Sequence, residues 1–221
     1  MVNIEVYLSD LLPLLKRKFA DRLAYVGLQG SYLRGEAHEG SDLDIMVVID
    51  DLSVSDLTAY RAIIDSLPHS DKSCGFICAT SDLRKWNPME MCNLLHSTRD
   101  YYGVLADLIP GWTEQDLRNF VKMSVNNLYH EICHRYIHAD PETNSEALPF
   151  TYKGVFFILQ NLHYLNSGNF VATKSALLDS LDGRNREVLA RCLEYGRGEV
   201  CDFEESFGLL FAWCREVMEI L

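Results

Sequence analysis

Residues 27–50 read GLQGSYLRGEAHEGSDLDIMVVID, and the fold follows from this stretch. Apolar residues lead into a sharp Gly30-Ser31 turn, a polar helical or loop segment follows, and a second apolar run starts near Asp42. The pattern predicts strand, turn, strand. Asp42 and Asp44 are two residues apart, so in an extended chain both carboxylates project from one face. Their Cα atoms lie roughly 6–7 Å apart at about 3.3 Å of rise per residue. That spacing suits a grip on divalent metal, whose paired ions sit about 3.5–4 Å apart in phosphoryl-transfer sites. Leu43 and Ile45 turn to the opposite face, and Ile45 to Ile49 read as a buried strand. The Gly-Ser turn offers backbone N–H groups at a helix start, where a phosphate is well received.

Working outward, residues 4–22 carry Leu11, Leu12, Leu15 and Phe19 at helical spacing, with Pro13 expected in the first turn, where proline is tolerated. Residues 23–28 are the first strand. Ser53 to Leu67 reads as a helix capped by Ser53 or Ser55 and stopped by Pro68. Ser73 to Thr80 reads as one buried third strand that takes Cys74 and Cys78 into the core. Residues 82–86 and 88–97 look helical. Pro110-Gly111-Trp112 is the expected boundary, dividing residues 1–110 from 111–221. Beyond it every periodic segment is helical. Thr113 caps a long helix with Leu117, Phe120, Val121, Val125, Leu128, Ile132 and Tyr136 on one side. Residues 139–148 read as a polar loop, and Pro149 to Asn166 as the next helix. Shorter helices are expected near 173–182 and 185–196. The last, from about Phe203, has a stripe of Phe207, Leu210, Phe211, Cys214 and Met218. The expected class is α+β: a small mixed β-sheet flanked by helices, then an all-α helical bundle.

Gly-Ser, ten intervening residues and Asp-x-Asp before an apolar run resemble the DNA polymerase β-type nucleotidyltransferase superfamily. The likeness is to its two-domain bacterial members, the aminoglycoside and lincosamide nucleotidyltransferases and the minimal nucleotidyltransferases. The resemblance implies that Asp42 and Asp44 hold Mg2+ and that Gly30 and Ser31 receive the triphosphate of ATP or another nucleoside triphosphate. Arg34 and Ser41 fit the family's nucleotide-binding pattern, and Lys153 in the bundle is placed to reach the triphosphate. It further implies a helical domain that acts as substrate-binding lid. Many members carry a third carboxylate on the next strand. Here that position falls near Cys74 or Gly75, flanked by Asp71 and Asp82. Glu131 is one candidate for a base supplied by the second domain.

Glu131 lies in His130-Glu131-Ile132-Cys133-His134, a match to H-E-x-x-H, with His138 one turn further on. At about 100° per residue this row falls opposite the apolar stripe of its helix. It is a solvated polar face, a lining of the interdomain cleft, or a zinc site.

At 221 residues and 48% hydrophobic composition the chain can build real cores. A net charge of −12 excludes nucleic acid as the main partner and suits a cationic small molecule or a protein acceptor. The opening residues have no signal-peptide pattern, no apolar run is long enough to span a membrane, and seven cysteines without paired spacing fit a cytoplasmic protein. The expected reaction moves a nucleoside monophosphate to a hydroxyl of a small, antibiotic-like acceptor. Alternatives are adenylylation of a protein, as in antitoxin-like members, a nucleotide-binding module without transfer, and last a zinc hydrolase. Some members of the superfamily build their site across a homodimer, which stays open here.

Overall fold

Asn3 starts the first helix by accepting, through its side chain, from the backbone N–H groups of Glu5 and Val6. The computed structural model describes all residues 1–221 and divides into two units, Met1–Trp112 and Thr113–Leu221. In the first unit α1 (Ile4–Phe19) precedes β1 (Leu23–Leu28), the short α2 (Gly30–Arg34), β2 (Leu43–Ile49) and α3 (Val54–Asp65). Then come β3 (Ser73–Cys74), β4 (Ile77–Ala79), α4 (Thr80–Leu83), α5 (Pro88–His96) and β5 (Arg99–Tyr102). The sheet order is β3-β2-β1-β5, with β4 also pairing β2. β1 runs antiparallel to β2 and β5, while β3 and β4 run parallel to β2, so the sheet is mixed.

The two-residue period of β2 separates its faces. Leu43, Ile45, Val47 and Ile49 pack with Leu11, Leu15 and Phe19 of α1 and Ile64 of α3. On the other face Met46 and Val48 pack with Tyr25, Cys78, Leu83 and Leu105. Asp44 shares this second face by register.

Several expectations are corrected. Pro13 stands inside α1, not in its first turn. The carbonyl that it deprives of a partner belongs to Ser9, which is exposed. The predicted third strand is two pieces. Gly75 interrupts it at φ +138°, where a Cβ would overlap the backbone of Ile45. The Phe76 N–H donates to the Ile45 carbonyl at 3.2 Å, and the Val47 N–H donates to that of Phe76 at 2.8 Å. Cys74 is consequently exposed rather than buried, whereas Cys78 lies in the core. The edge strand β5 has no counterpart in the sequence reading. It is tied down by the Tyr25 hydroxyl donating to Asp100 Oδ1 at 2.6 Å.

The second unit is all helix: α6 (Glu114–His138), α7 (Pro141–Ser167), α8 (Lys174–Ser180), α9 (Gly183–Gly196) and α10 (Phe203–Ile220). Residues 141–148 form the first two turns of α7, not a loop. Asp140 caps it, accepting from the Thr143 N–H at 2.9 Å, and Pro141 occupies the first turn. Pro149 is interior, and the carbonyl it leaves unpaired is on exposed Ser145. In α10 the buried face is Ser206, Leu210, Trp213, Cys214 and Val217, rotated from the expected stripe, and Phe207 and Phe211 are only partly covered. In α6, Tyr136 is exposed and lies against Phe207, with ring centroids 4.4 Å apart.

Trp213 is the largest fully buried side chain of the chain, and its indole N–H donates to Asn185 Oδ1 at 2.8 Å. Trp213→Ala opens a cavity and strands that acceptor. The expected cost is about 3–5 kcal/mol, read as a lower urea midpoint for the helical unit. No helix of the chain is long and apolar enough to cross a membrane.

Candidate active site

The turn after β1 and the start of β2 meet because the two strands pair. The Gln29 N–H donates to the Asp44 carbonyl at 2.9 Å, extending the β1–β2 ladder past the end of β1. Gly30 then adopts φ +68°, a left-handed conformation that glycine takes without penalty. The Asp44 carboxylate occupies the space where a side chain at Gly30 would stand, since a Cβ there would overlap Asp44 Oδ2. Turn and carboxylate are thus in direct van der Waals contact. Asp44 is half-buried, and Asp42, just before the strand, is exposed. Ser31 is partly covered, and its carbonyl accepts from the Glu36 N–H at 2.9 Å.

The loop that delivers Asp42 is held at several points. Ser41 is buried, and its Oγ accepts from the His38 N–H at 2.9 Å, while its own N–H donates to the His38 carbonyl. The Lys72 ammonium donates to the Glu39 carbonyl from the turn before β3. Arg34 pairs with Glu36 at 3.0 Å, both largely covered, which ties down the C-terminal end of α2. Ser41 and Arg34 therefore have local structural work in addition to the nucleotide contacts that the motif implies. Sequence reasoning missed Gln29, whose side chain donates to Thr98 Oγ1 at 2.8 Å and joins the turn to the segment after α5. Its position directly before Gly30 was the available signal. It also missed Tyr25, whose hydroxyl ionises far above its usual range because it is buried and faces the Asp100 carboxylate. Tyr25 is therefore a neutral structural donor.

Beside Asp44 the structure offers no third carboxylate. In the parallel pairing of β2 with β3, Asp44 is opposite Cys74. Gly75 has no room for any side chain, and the Asp82 carboxylate is committed to the start of α4, accepting from the Ala79 N–H at 3.3 Å. No three His, Cys, Asp or Glu side chains gather anywhere in the chain as a metal-holding group. The residues present still fit magnesium, a hard cation that is held by one or two carboxylates with substrate phosphates supplying further oxygens.

The remaining candidates lie in the helical unit. His130, His134 and His138 are exposed along α6, with successive ring centroids 6.0 and 4.7 Å apart. Glu131 points instead to Arg135, at 2.5 Å, so H-E-x-x-H does not assemble the two-histidine, one-glutamate arrangement of a zinc hydrolase. Lys153 is exposed on α7.

A mixed sheet with this Gly-Ser turn against an Asp-x-Asp strand, and a separate helical unit, defines the nucleotidyltransferase fold. The profile of the nucleotidyltransferase domain family matches residues 8–70. A relative from Methanocaldococcus jannaschii, provisionally named a protein adenylyltransferase, is 32% identical over 78 residues, which span 32% of this chain and 78% of that protein. Among solved structures, spectinomycin adenyltransferase from Enterococcus faecialis, with ATP and spectinomycin, is similar at a TM-score of 0.60 and 15% identity, covering 98% of this chain and all of that one. The chain belongs to the nucleotidyltransferase superfamily, and it is a transferase of nucleotidyl groups.

Proposed function

We propose that the chain transfers a nucleoside monophosphate, AMP from ATP in the first instance, to a hydroxyl of a small-molecule acceptor. The acceptor oxygen forms a bond to the α-phosphorus, the bond from that phosphorus to the β-phosphate oxygen breaks, and pyrophosphate leaves with the electron pair. The acceptor's proton passes to water or to a group on the substrate. The observation that carries this reading is the contact of the Asp44 carboxylate with Gly30, which brings the phosphate-receiving turn and a metal-binding carboxylate together. Asp42 and Asp44 are the residues that would hold Mg2+, which when bound supplies charge neutralisation to the triphosphate. The backbone N–H groups of Gly30 and Ser31 orient the phosphates. Glu131, engaged by Arg135, is a charge partner rather than a free base.

A small acceptor is favoured by the fold likeness to spectinomycin adenyltransferase, which extends over both units. A protein acceptor is the second reading, supported by the name of the Methanocaldococcus jannaschii relative, whose match spans 32% of this chain. Calorimetric titration of nucleoside triphosphates with Mg2+, followed by transfer assays with α-labelled ATP, tests the proposal. Magnesium-dependent binding of ATP is expected, and failure of every triphosphate to bind would refute it.

The register opposite Asp44 gives a second check. Cys74→Asp restores a carboxylate to an exposed position beside the pair. The expected gain is roughly tenfold in apparent Mg2+ affinity, about 1.4 kcal/mol. An unchanged magnesium dependence would mean that β3 does not face the bound metal.

A further inference from the structure

The helical unit has a groove of its own between α6 and α7, with a volume of about 380 Å³. That falls in the range of roughly 300–1,000 Å³ in which small-molecule sites occur. Leu128 of α6 and Ile158 of α7 supply apolar wall, and Phe150, 79% exposed, stands at the edge. Asn127, Ser124 and Thr151 supply uncharged hydrogen-bonding groups. Gly154 keeps the α7 wall open, for a Cβ there would meet nothing within 4 Å.

The electrostatics of this groove differ from those of the whole chain. Although the chain carries a net charge of −12, Glu131 is the only carboxylate on the groove wall and Arg135 the only cation. They are paired at 2.5 Å, and Arg135 also donates to Thr151 Oγ1. A polycationic ligand finds no unpaired carboxylate, and an anionic one meets Glu131 beside the arginine. The groove is polar yet balanced. Arg135 on the groove wall has one donor without an acceptor, its buried Nε. A guanidinium with a donor left in this way favours a ligand oxygen that comes within hydrogen-bond reach of it.

We propose that this groove binds an uncharged ring compound bearing hydroxyl or amide groups. Its apolar face lies on Leu128, Ile158 and Phe150. Its oxygens accept from Asn127 and from the Arg135 guanidinium, and its hydroxyls donate to Ser124 or Thr151. If that compound is the acceptor of nucleotidyl transfer, the assignment rests on the proposed function, but binding in the groove does not depend on it. An uncharged ligand also departs from the cationic small molecule suggested by the overall acidity.

The test uses the full chain, isotopically labelled, and three probes that differ in charge: uncharged phenyl β-D-glucoside, anionic phenyl phosphate and polycationic kanamycin. Phenyl glucoside is expected to shift the amide signals of residues 124–135 and 147–158. Gly154→Leu, which fills the groove from a position with free space, is expected to weaken that binding at least tenfold while leaving the circular dichroism and the thermal midpoint near wild type. Glucoside shifts that survive Gly154→Leu, shifts confined to kanamycin or phenyl phosphate, or no shifts with any probe would each overturn the proposal. ATP with Mg2+ added to the same samples reports separately on residues 29–44. A silent ATP titration with a responsive groove would sink the transfer reading and leave this one standing.

Discussion

Asp42→Asn and Asp44→Asn, singly and together, are expected to abolish magnesium-dependent nucleotidyl transfer while leaving the fold intact. Asparagine keeps the size and one oxygen of each side chain but removes the charge that a hard divalent cation needs. With only two carboxylates in the site, and Cys74 rather than an acid opposite Asp44, no neighbouring ligand can compensate. Metal stabilisation of a phosphoryl-transfer transition state is worth several kcal/mol. A loss of about 4 kcal/mol corresponds to a roughly 10³-fold fall in kcat/KM for each variant. The two effects should not add, because the two carboxylates act as a unit on one cation. Asp42 is exposed and Asp44 half-buried at the Gly30 turn, so Asp44→Asn should also raise KM for ATP while Asp42→Asn acts mainly on kcat. Initial rates against ATP and Mg2+, with urea unfolding as the control for folding, check this. Variants that retain more than a tenth of wild-type kcat/KM would refute the assignment of the pair.

The candidate site was legible in the sequence where residues lie at short spacing. Gly30, Ser31, Asp42 and Asp44 lie within fifteen residues, and two-residue periodicity alone puts Asp44 with Met46 and Val48 on one face. Long-range contacts were not legible. Nothing in Arg99-Asp-Tyr-Tyr102 alternates in polarity, and it becomes a strand because its backbone pairs with β1 and Tyr25 reaches Asp100, while its charges resist further pairing at the edge. The two interior prolines were read as standing at a helix start for one reason. Each sits where the carbonyl four residues earlier is on an exposed residue, Ser9 or Ser145, a condition that local propensity does not encode. Arg34 was similarly opaque: the motif implies phosphate, and the structure adds an ion pair with Glu36. The bond of Glu131 to Arg135 depends on a side-chain rotamer, which no spacing rule specifies.

Gly30→Ala is expected to be nearly as damaging to activity as loss of a carboxylate, although it adds a single methyl group. Two costs coincide at this residue. The φ of +68° is unfavourable for any residue with a Cβ, by roughly 1–2 kcal/mol. The added Cβ would also overlap the Asp44 carboxylate, so either the turn or the carboxylate must move. Moving the carboxylate is the cheaper relaxation. The atoms in the way are the far end of a side chain, whereas the turn is backbone held by the Gln29 N–H to the Asp44 carbonyl and by the Gln29 side chain to Thr98. A displacement of about 1 Å in a positioned catalytic group can cost on the order of 10²-fold in rate. Gly30→Ala should therefore lower kcat/KM by about 10²-fold while unfolding at only slightly lower urea concentration. Gly75→Ala makes the opposite trade. Its Cβ would strike the Ile45 backbone in the centre of the sheet, where no rotamer relieves the clash, so stability falls first and activity follows. Measuring unfolding and turnover on both variants separates the two cases. Loss of stability without loss of specific activity in Gly30→Ala would show that the contact between the turn and Asp44 serves the fold and not the reaction.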